Sequence, residues 1–379
     1  MYQALYRKYR PKSFDEIVGQ EHITTTLKNQ VQSGNISHAY LFTGSRGTGK
    51  TSCAKIFARA INCPNNKNGS PCYECSTCQS LADASNVDIM EIDAASNNRV
   101  DEIREIREKV KFLPVSGKYK VYIIDEVHML TESAFNALLK TLEEPPAHIV
   151  FILATTEVHK LPATILSRCM RFDFRLIPID VLSNQLKGIF DKEGIKYEDD
   201  AIKLICASAE GSDRDMLSIA DCVCAFCGKN ITAEKVNDIL GQNDKDTYIN
   251  LAQAIADKNV GNAFKIVQNA QASGKNMSVF AKDMTLHFRN LLVVKSCSDY
   301  ENMLGLTKVL SQKMQAQAEK IAIENLMEYM KIFSSIESEI KYALSPRALI
   351  ETAIVTAISE VGELKKNEFW HKLKKRQKK

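Results

Sequence analysis

The run Gly44-Ser45-Arg46-Gly47-Thr48-Gly49-Lys50-Thr51 constrains this chain more than any other stretch. It completes the pattern G-x-x-x-x-G-K-[ST], and the apolar residues Ala39-Tyr40-Leu41-Phe42 lead straight into it. A strand feeding a glycine-rich loop that opens a helix makes an anion cradle. Loop amides and the helix N-terminus both direct partial positive charge at a phosphate. Gly44, Gly47 and Gly49 allow backbone conformations and a close approach that a β-carbon would block. Lys50 is placed to meet β and γ phosphates, and Thr51 to offer its hydroxyl to Mg²⁺. Many nucleotide-binding proteins carry such a loop, so it leaves the task open.

The surrounding pattern fits an α/β fold. Short apolar runs at Ala39–Thr43, Asp88–Ile92, Lys120–Asp125, His148–Ala154 and Arg171–Phe174 alternate with helical spacing at Lys50–Ile61, Val100–Phe112 and Glu132–Leu142. That alternation implies a parallel sheet flanked by helices. Val121-Tyr122-Ile123-Ile124 is apolar on both faces, as a central parallel strand should be. After Pro178 strand signals fade. Val181–Lys192, Glu198–Gly211, Arg214–Cys227 and Thr232–Leu240 read as helices, and the rest is helical by periodicity to about Val361. Leu326, Met330, Phe333, Ile336, Ile340 and Leu344 form one apolar stripe that Pro346 interrupts.

At 379 residues the chain is too long for one ordinary domain. No run approaches the roughly 18 apolar residues of a membrane span, and the polar start argues against a secretory signal. The expectation is a soluble cytoplasmic protein without a membrane partner. The net charge of +4 conceals an asymmetry, because Lys365–Lys379 holds eight basic residues and one acid and leaves the remainder at −3. The basic balance is a property of the tail, which is either a solvated end or an attraction for DNA.

Where the run Lys120–Asp125 ends, Asp125-Glu126 follows. A strand delivering two carboxylates at its C-terminal end is the expected partner of the phosphate loop. Asp125 would hold Mg²⁺ and Glu126 would polarise the attacking water. The competing reading, two acids that merely begin the next helix, weakens with the loop upstream. Phe151-Ile152-Leu153-Ala154 runs into Thr155-Thr156, either of which could sense a γ-phosphate. Arg168, in Ser167-Arg168-Cys169, and Arg214, at a helix start, are by composition either surface arginines or groups supplied to a γ-phosphate.

Cys63, Cys72, Cys75 and Cys78 fall within sixteen residues, with Pro64, Gly69 and Pro71 bending the chain. Four sulfurs with no histidine suit structural Zn²⁺ in tetrahedral geometry, against reduced unligated thiols as the alternative. A second group, Cys206, Cys222, Cys224 and Cys227, reads as buried small hydrophobes. On a helix Cys222 and Cys224 point about 200° apart. Cys53 reads the same way.

Together these residues resemble the gamma/tau family of bacterial DNA polymerase III clamp-loader subunits, which are AAA+ ATPases. The resemblance rests on Tyr6-Arg7-Lys8-Tyr9-Arg10-Pro11, Val18-Gly19-Gln20-Glu21-His22, Asp125-Glu126-Val127-His128-Met129-Leu130, the run Phe135 to Pro146, and Ser167-Arg168-Cys169 with the cysteine module. It implies an AAA+ domain over 1–177 with the zinc module at 63–78, a helical lid at 178–242, an all-α collar at 243–362, and a basic tail at 363–379. It implies an adenine pocket from Arg10, Pro11 and Val18, Arg168 as a finger on ATP of the adjacent subunit, and Arg214 as a second sensor joining the lid to the γ-phosphate. Asn97 and Arg99, opening a helix with Arg104 and Arg107, would face primed-template DNA, against a solvated face as the alternative. The implied partners are delta and delta-prime type subunits and further copies of this chain in a heteropentamer, together with a sliding clamp. ATP would close this assembly and open the clamp, and hydrolysis would release clamp and DNA at the replisome. A branch-migration type AAA+ remodeller would share the phosphate loop but not the cysteine module. A non-hydrolysing nucleotide-bound scaffold need not retain Lys50, Asp125 and Glu126.

Overall fold

The computed structural model of the chain describes residues 3–81, 83, 86–96, 105–106, 108–239, 243–304, 306 and 308–359. Its contacts divide it into two compact units, Met1–Val236 and Asn237–Lys379.

Five strands form the sheet of the first unit: β1 (Ala39–Gly44), β2 (Ile89–Asp93), β3 (Lys120–Asp125), β4 (Ile149–Thr155) and β5 (Met170–Phe174). All pair in parallel, in the order β2-β3-β4-β1-β5. Each strand lies within one residue of its sequence expectation at either end. β3 and β4 are fully covered apart from the partly exposed Asp125. The period of two sends Tyr40, Phe42, Val121, Ile123, Val150 and Ile152 into one apolar layer. Ala39, Leu41, Tyr122, Ile124, Phe151 and Leu153 enter the other. Before the sheet come α1 (Leu5–Lys8) and α2 (Glu21–Ser33). The first layer is completed by Ile23 and Leu27 of α2 and by Ile56 and Phe57 of α3 (Lys50–Ala60). A short helix, α4 (Ser76–Ser80), closes the cysteine module. The second layer is completed by Phe135, Leu138 and Leu142 of α5 (Glu132–Glu143). Thr131 caps α5, its hydroxyl accepting from the Ala134 amide at 3.3 Å. A single turn, α6 (Ala163–Leu166), precedes Arg168.

The chain leaves β1 and reaches β2 at the far edge of the sheet, so β1 and β4 flank a switch point. In open parallel sheets, ligands bind beyond the strand C-termini at such a point. β1 ends there in the glycine loop, β4 in Thr155, and β3 beside it in Asp125.

Helices α7 (Ile179–Glu193), α8 (Asp199–Ser208) and α9 (Asp213–Cys227) belong to this same unit, followed by α10 (Ala233–Ile239). The expected lid thus shares a compact body with the sheet. Two-residue strands at Lys196–Tyr197 and Asn230–Ile231 pair in parallel, which apolar periodicity did not signal.

The second unit is helical: α11 (Asn243–Ala256), α12 (Val260–Ala272), α13 (Met277–Ser296), α14 (Tyr300–Leu304), α15 (Lys308–Lys320), α16 (Ile323–Glu339) and α17 at 346–359. The Phe288 ring of α13 lies 5.3 Å from Tyr329 and 5.5 Å from Phe333, one turn apart on α16. The expected stripe holds at Leu326, Phe333, Ile336 and Ile340, which are buried. It fails at Leu344, which is fully exposed, because the helix has ended at Glu339. No helix among the described residues is long and apolar enough to cross a membrane.

Candidate functional site

The glycine loop takes its shape from three left-handed residues, Gly44 (φ 136°), Gly47 (φ 77°) and Gly49 (φ 100°). A β-carbon at Gly44 would stand 2.3 Å from the Phe174 carbonyl oxygen. At Gly47 it would stand 1.9 Å from Ser212 Oγ, because the start of α9 rests on the loop. The Arg214 amide donates to the Gly47 carbonyl at 3.4 Å, and Ser212 caps α9 by accepting from the Asp215 amide at 3.2 Å. Thr48 is buried and braces the turn, donating to the Ser45 carbonyl at 2.8 Å.

Inside the loop, Lys50 Nζ donates to the carbonyls of Gly44 and Ser45, each at 2.8 Å. Burial depresses its ammonium below the ordinary lysine range, while Glu126 and Asp125 oppose that shift. Thr51 Oγ1 donates to Asp125 Oδ2 at 2.6 Å. A hydroxyl and a carboxylate converging from helix and strand make a hard-oxygen pair suited to Mg²⁺.

Glu126 is held in a left-handed conformation (φ 48°) that a glutamate rarely adopts. Its carboxylate accepts from the Thr156 hydroxyl at 3.0 Å and the Thr156 amide at 3.3 Å. Thr155 is fully buried, and its hydroxyl lies 3.0 Å from His128 Nδ1. The two threonines thus diverge: Thr156 restrains Glu126, and Thr155 meets a histidine that sequence reasoning passed over. His128 lies 3.4 Å from Glu126 Oε2 and 3.5 Å from Glu157 Oε1, so it bridges two acids. Its place two residues after Glu126 was the available signal.

Lys50, Thr51, Asp125 and Glu126 open on a cavity of about 510 Å³. Gly47, Gly49, Lys50, Thr51, Asp125 and Glu126 line its loop end, Arg10 and Pro11 another wall, and Asp213 and Arg214 the side of α9. Tyr6, Arg7, Ser52 and Leu217 complete the lining and were not expected. Gly44, Ser45, Arg46, Thr48, Thr155, Thr156 and the half-buried Val18 lie outside the lining residues. Asp213 is largely enclosed, and burial raises its carboxyl to about 6, with Gln185 pulling the other way. Arg168 is not part of this cavity. It donates to the Thr164 carbonyl and to Glu143 Oε1, both at 2.8 Å. Asn97, Arg99, Arg104, Arg107 and the tail 363–379 lie outside the described residues.

The sulfurs of Cys63, Cys72, Cys75 and Cys78 all lie within 4.8 Å of one another. Individual separations are 3.5 Å for Cys63–Cys72, 4.0 Å for Cys63–Cys75 and 3.9 Å for Cys72–Cys78. A tetrahedron with metal–sulfur bonds near 2.3 Å has edges of about 3.8 Å, so the donor set fits zinc. Tyr73, between two of the cysteines, takes φ 59°, and this turn gathers the sulfurs. Backbone amides of Cys72, Cys75 and Cys78 donate to Cys63, Cys72 and Cys75 Sγ, each at 3.4 Å, as thiolate ligands require. Among the other cysteines, Cys53 and Cys206 are buried as expected. Cys224 and Cys227 are only partly buried and Cys222 is exposed, which overturns the buried-hydrophobe reading for Cys222, because it falls on the solvent face of α9.

Residues 19–178 match the family described as DNA polymerase III, delta subunit, and 181–229 the ATPase lid domain of the DNA polymerase III clamp loader subunit. Residues 231–372 match domain III of DNA polymerase III subunits gamma and tau. DNA polymerase III subunit gamma of Buchnera aphidicola is 34% identical over 364 residues, spanning 95% of this chain and 99% of that protein. The chain belongs to the gamma/tau family of DNA polymerase III subunits.

Within that family, subunit tau of Bacillus subtilis is 46% identical over 93% of this chain, which spans 63% of that protein. For tau of Escherichia coli the identity is 37% over 94% of this chain and 55% of that protein. The chain therefore spans little more than half the length of these tau relatives. Among solved structures, the RuvB Holliday junction branch migration motor of Thermotoga maritima superposes with a TM-score of 0.47 at 20% identity, over 65% of this chain and 79% of that one. That is too distant to bear on function.

Proposed function

We propose that this gamma/tau chain is an ATP-hydrolysing motor subunit of a clamp loader, using ATP to open a sliding clamp and load it on primed DNA. The observation that carries this reading is the convergence of Lys50, Thr51, Asp125 and Glu126 on one cavity that Arg214 of the lid also lines.

The phosphates of ATP would lie against the loop amides and the start of α3, with Lys50 Nζ turning from its carbonyls toward the β and γ phosphates. Thr51 and Asp125 would hold Mg²⁺, which supplies charge neutralisation to the phosphates. Glu126, released from Thr156, would take a proton from water as that water attacks the γ-phosphorus, leaving ADP and phosphate. Arg214 would reach the γ-phosphate from the lid, so bound nucleotide and lid position become linked. Arg10 and Pro11, with Val18 beside them, would receive the adenine.

Arg168 lies off the chain's own cavity and is parked on Glu143, which supports its use on ATP held by an adjacent subunit. The catalytic unit would then be an assembly, a heteropentamer with delta and delta-prime type subunits in the cytoplasm. Asn97 and Arg99 are the residues proposed to meet DNA, and 243–362 is proposed as the oligomerising collar. The four-cysteine cluster would hold structural Zn²⁺.

ATP turnover by the full chain should rise when partner subunits, a ring clamp and primed DNA are added together. If Lys50→Ala or Glu126→Gln left that stimulated turnover unchanged, the catalytic assignment would be wrong. Elemental analysis should find one zinc per chain, and its absence from freshly purified protein would remove the metal.

A further inference from the structure

The segment ahead of the sheet does more than supply Arg10 and Pro11. Helix α1 buries Leu5 and lies against α9. The Leu5 amide donates to Asp221 Oδ2 of α9 at 2.7 Å. Lys8 Nζ lies 2.5 Å from Glu193 Oε1 at the end of α7, and the Tyr9 hydroxyl donates to the same carboxylate. Further on, Arg10 Nε donates to Ser52 Oγ of α3 at 3.2 Å. The Tyr73 hydroxyl, from the cysteine module, donates to the Lys12 carbonyl at 2.5 Å. Residues 5–12 are thus fixed to the lid helices at one end and to α3 and the cysteine module at the other.

Tyr6 sits within this strap, half-buried in the cavity wall. The Arg214 guanidinium carbon lies over its ring, 5.7 Å from the centroid. We propose that Tyr6 is a positioning residue for Arg214, its ring face holding the guanidinium at the cavity in readiness for a γ-phosphate. The physical basis has two parts. An aromatic face attracts a guanidinium through its quadrupole. An arginine side chain also loses rotamer freedom when it is ordered, and a fixed platform reduces that loss before the ligand arrives. The platform is fixed because Leu5 and Tyr9, on either side of it, are hydrogen-bonded to the lid. This inference rests on the reading of Arg214 as the lid's γ-phosphate contact.

The test is equilibrium binding of a non-hydrolysable ATP analogue and of ADP to the full chain with Mg²⁺. Tyr6→Leu, which keeps bulk and loses the ring, should weaken the ATP analogue about fivefold more than it weakens ADP. Tyr6→Phe should restore the analogue's affinity to within about twofold, because the ring face remains. In an Arg214→Ala background, Tyr6→Leu should have no further effect. If Arg214→Ala itself leaves analogue binding intact, the reading of Arg214 is wrong. If Arg214→Ala weakens the analogue but Tyr6→Leu does not, the Tyr6 proposal alone is overturned. It is overturned equally if Tyr6→Leu weakens ADP as much as the analogue and does so without Arg214. That pattern would mean the ring touches the nucleotide directly.

Discussion

The two units place polar groups under cover for opposite ends. In the first, Lys50, Thr51, Asp125 and Glu126 meet at the mouth of a cavity and are bonded partly to one another. In the second, His287 is buried and lies 3.0 Å from Gln317, whose amide donates to the Ile249 carbonyl at 2.7 Å. Lys295 Nζ likewise donates to the Ala318 and Ile321 carbonyls, at 2.6 Å and 2.5 Å, closing the end of α15. Polar groups at the C-terminal edge of a parallel sheet remain available to a ligand, because the strands end there and helices pack only on the faces. Polar groups inside a helical bundle have no such edge and serve to fix the packing. Variants of the ligand-facing groups Lys50, Thr51, Asp125 and Glu126 should therefore alter chemistry at nearly constant stability, and variants of His287 should do the reverse.

The largest expected effect is at Glu126. Glu126→Gln should lower stimulated ATP turnover by about two to four orders of magnitude while nucleotide binding survives, read by steady-state assay and equilibrium titration. A matching loss of thermal stability would break the contrast between the units.

His287 tests the other side. Burial holds its pKa down at about 4, against an ordinary 6.5, with Gln317 opposing. The folded unit excludes a proton that the unfolded chain accepts. This stability is present above pH 6.5 and is lost as pH falls toward 4, by about 3 kcal/mol in all. His287→Gln should flatten that dependence in thermal unfolding at several pH values, with affinity for the ATP analogue unchanged.

A smaller effect belongs to Asp213, which sharpens the comparison because it is a covered acid in the first unit. Its raised pKa means that the folded state binds a proton more tightly than the unfolded state, so stability declines as pH rises from 3.8 to about 6. Asp213→Asn should raise the unfolding midpoint at pH 7.5, a gain of up to about 3 kcal/mol that disappears below pH 4. Smallest is Thr156→Val. It removes one hydrogen bond to Glu126 and should change turnover only a few-fold, with an altered ratio of basal to DNA-stimulated rate as the diagnostic.

Cysteine spacing marks where sequence reading succeeds and where it stops. Cys72-x2-Cys75 and Cys224-x2-Cys227 have the same interval. The first pair sits in a turn with Tyr73 at positive φ, and its sulfurs converge with two more. The second lies on α9, and Cys222, two residues before it, faces solvent. Bends at Pro64, Gly69 and Pro71 made that distinction legible, because proline and glycine punctuate the chain locally.

Local chemistry also made the phosphate loop, the strand ending in Asp125-Glu126 and the alternation of sheet and helix readable. Each depends on residues within a few positions of one another, so periodicity and glycine placement suffice. The order β2-β3-β4-β1-β5, the rest of α9 upon Gly47, the division of Thr155 and Thr156 between His128 and Glu126, and Tyr6 beneath Arg214 join residues far apart in the chain. The sequence by itself determined what chemical groups this protein carries and which strand or loop presents them. Only the tertiary structure decided which of those groups meet, because such contacts come from packing across the sheet edge and leave no periodic trace along the chain.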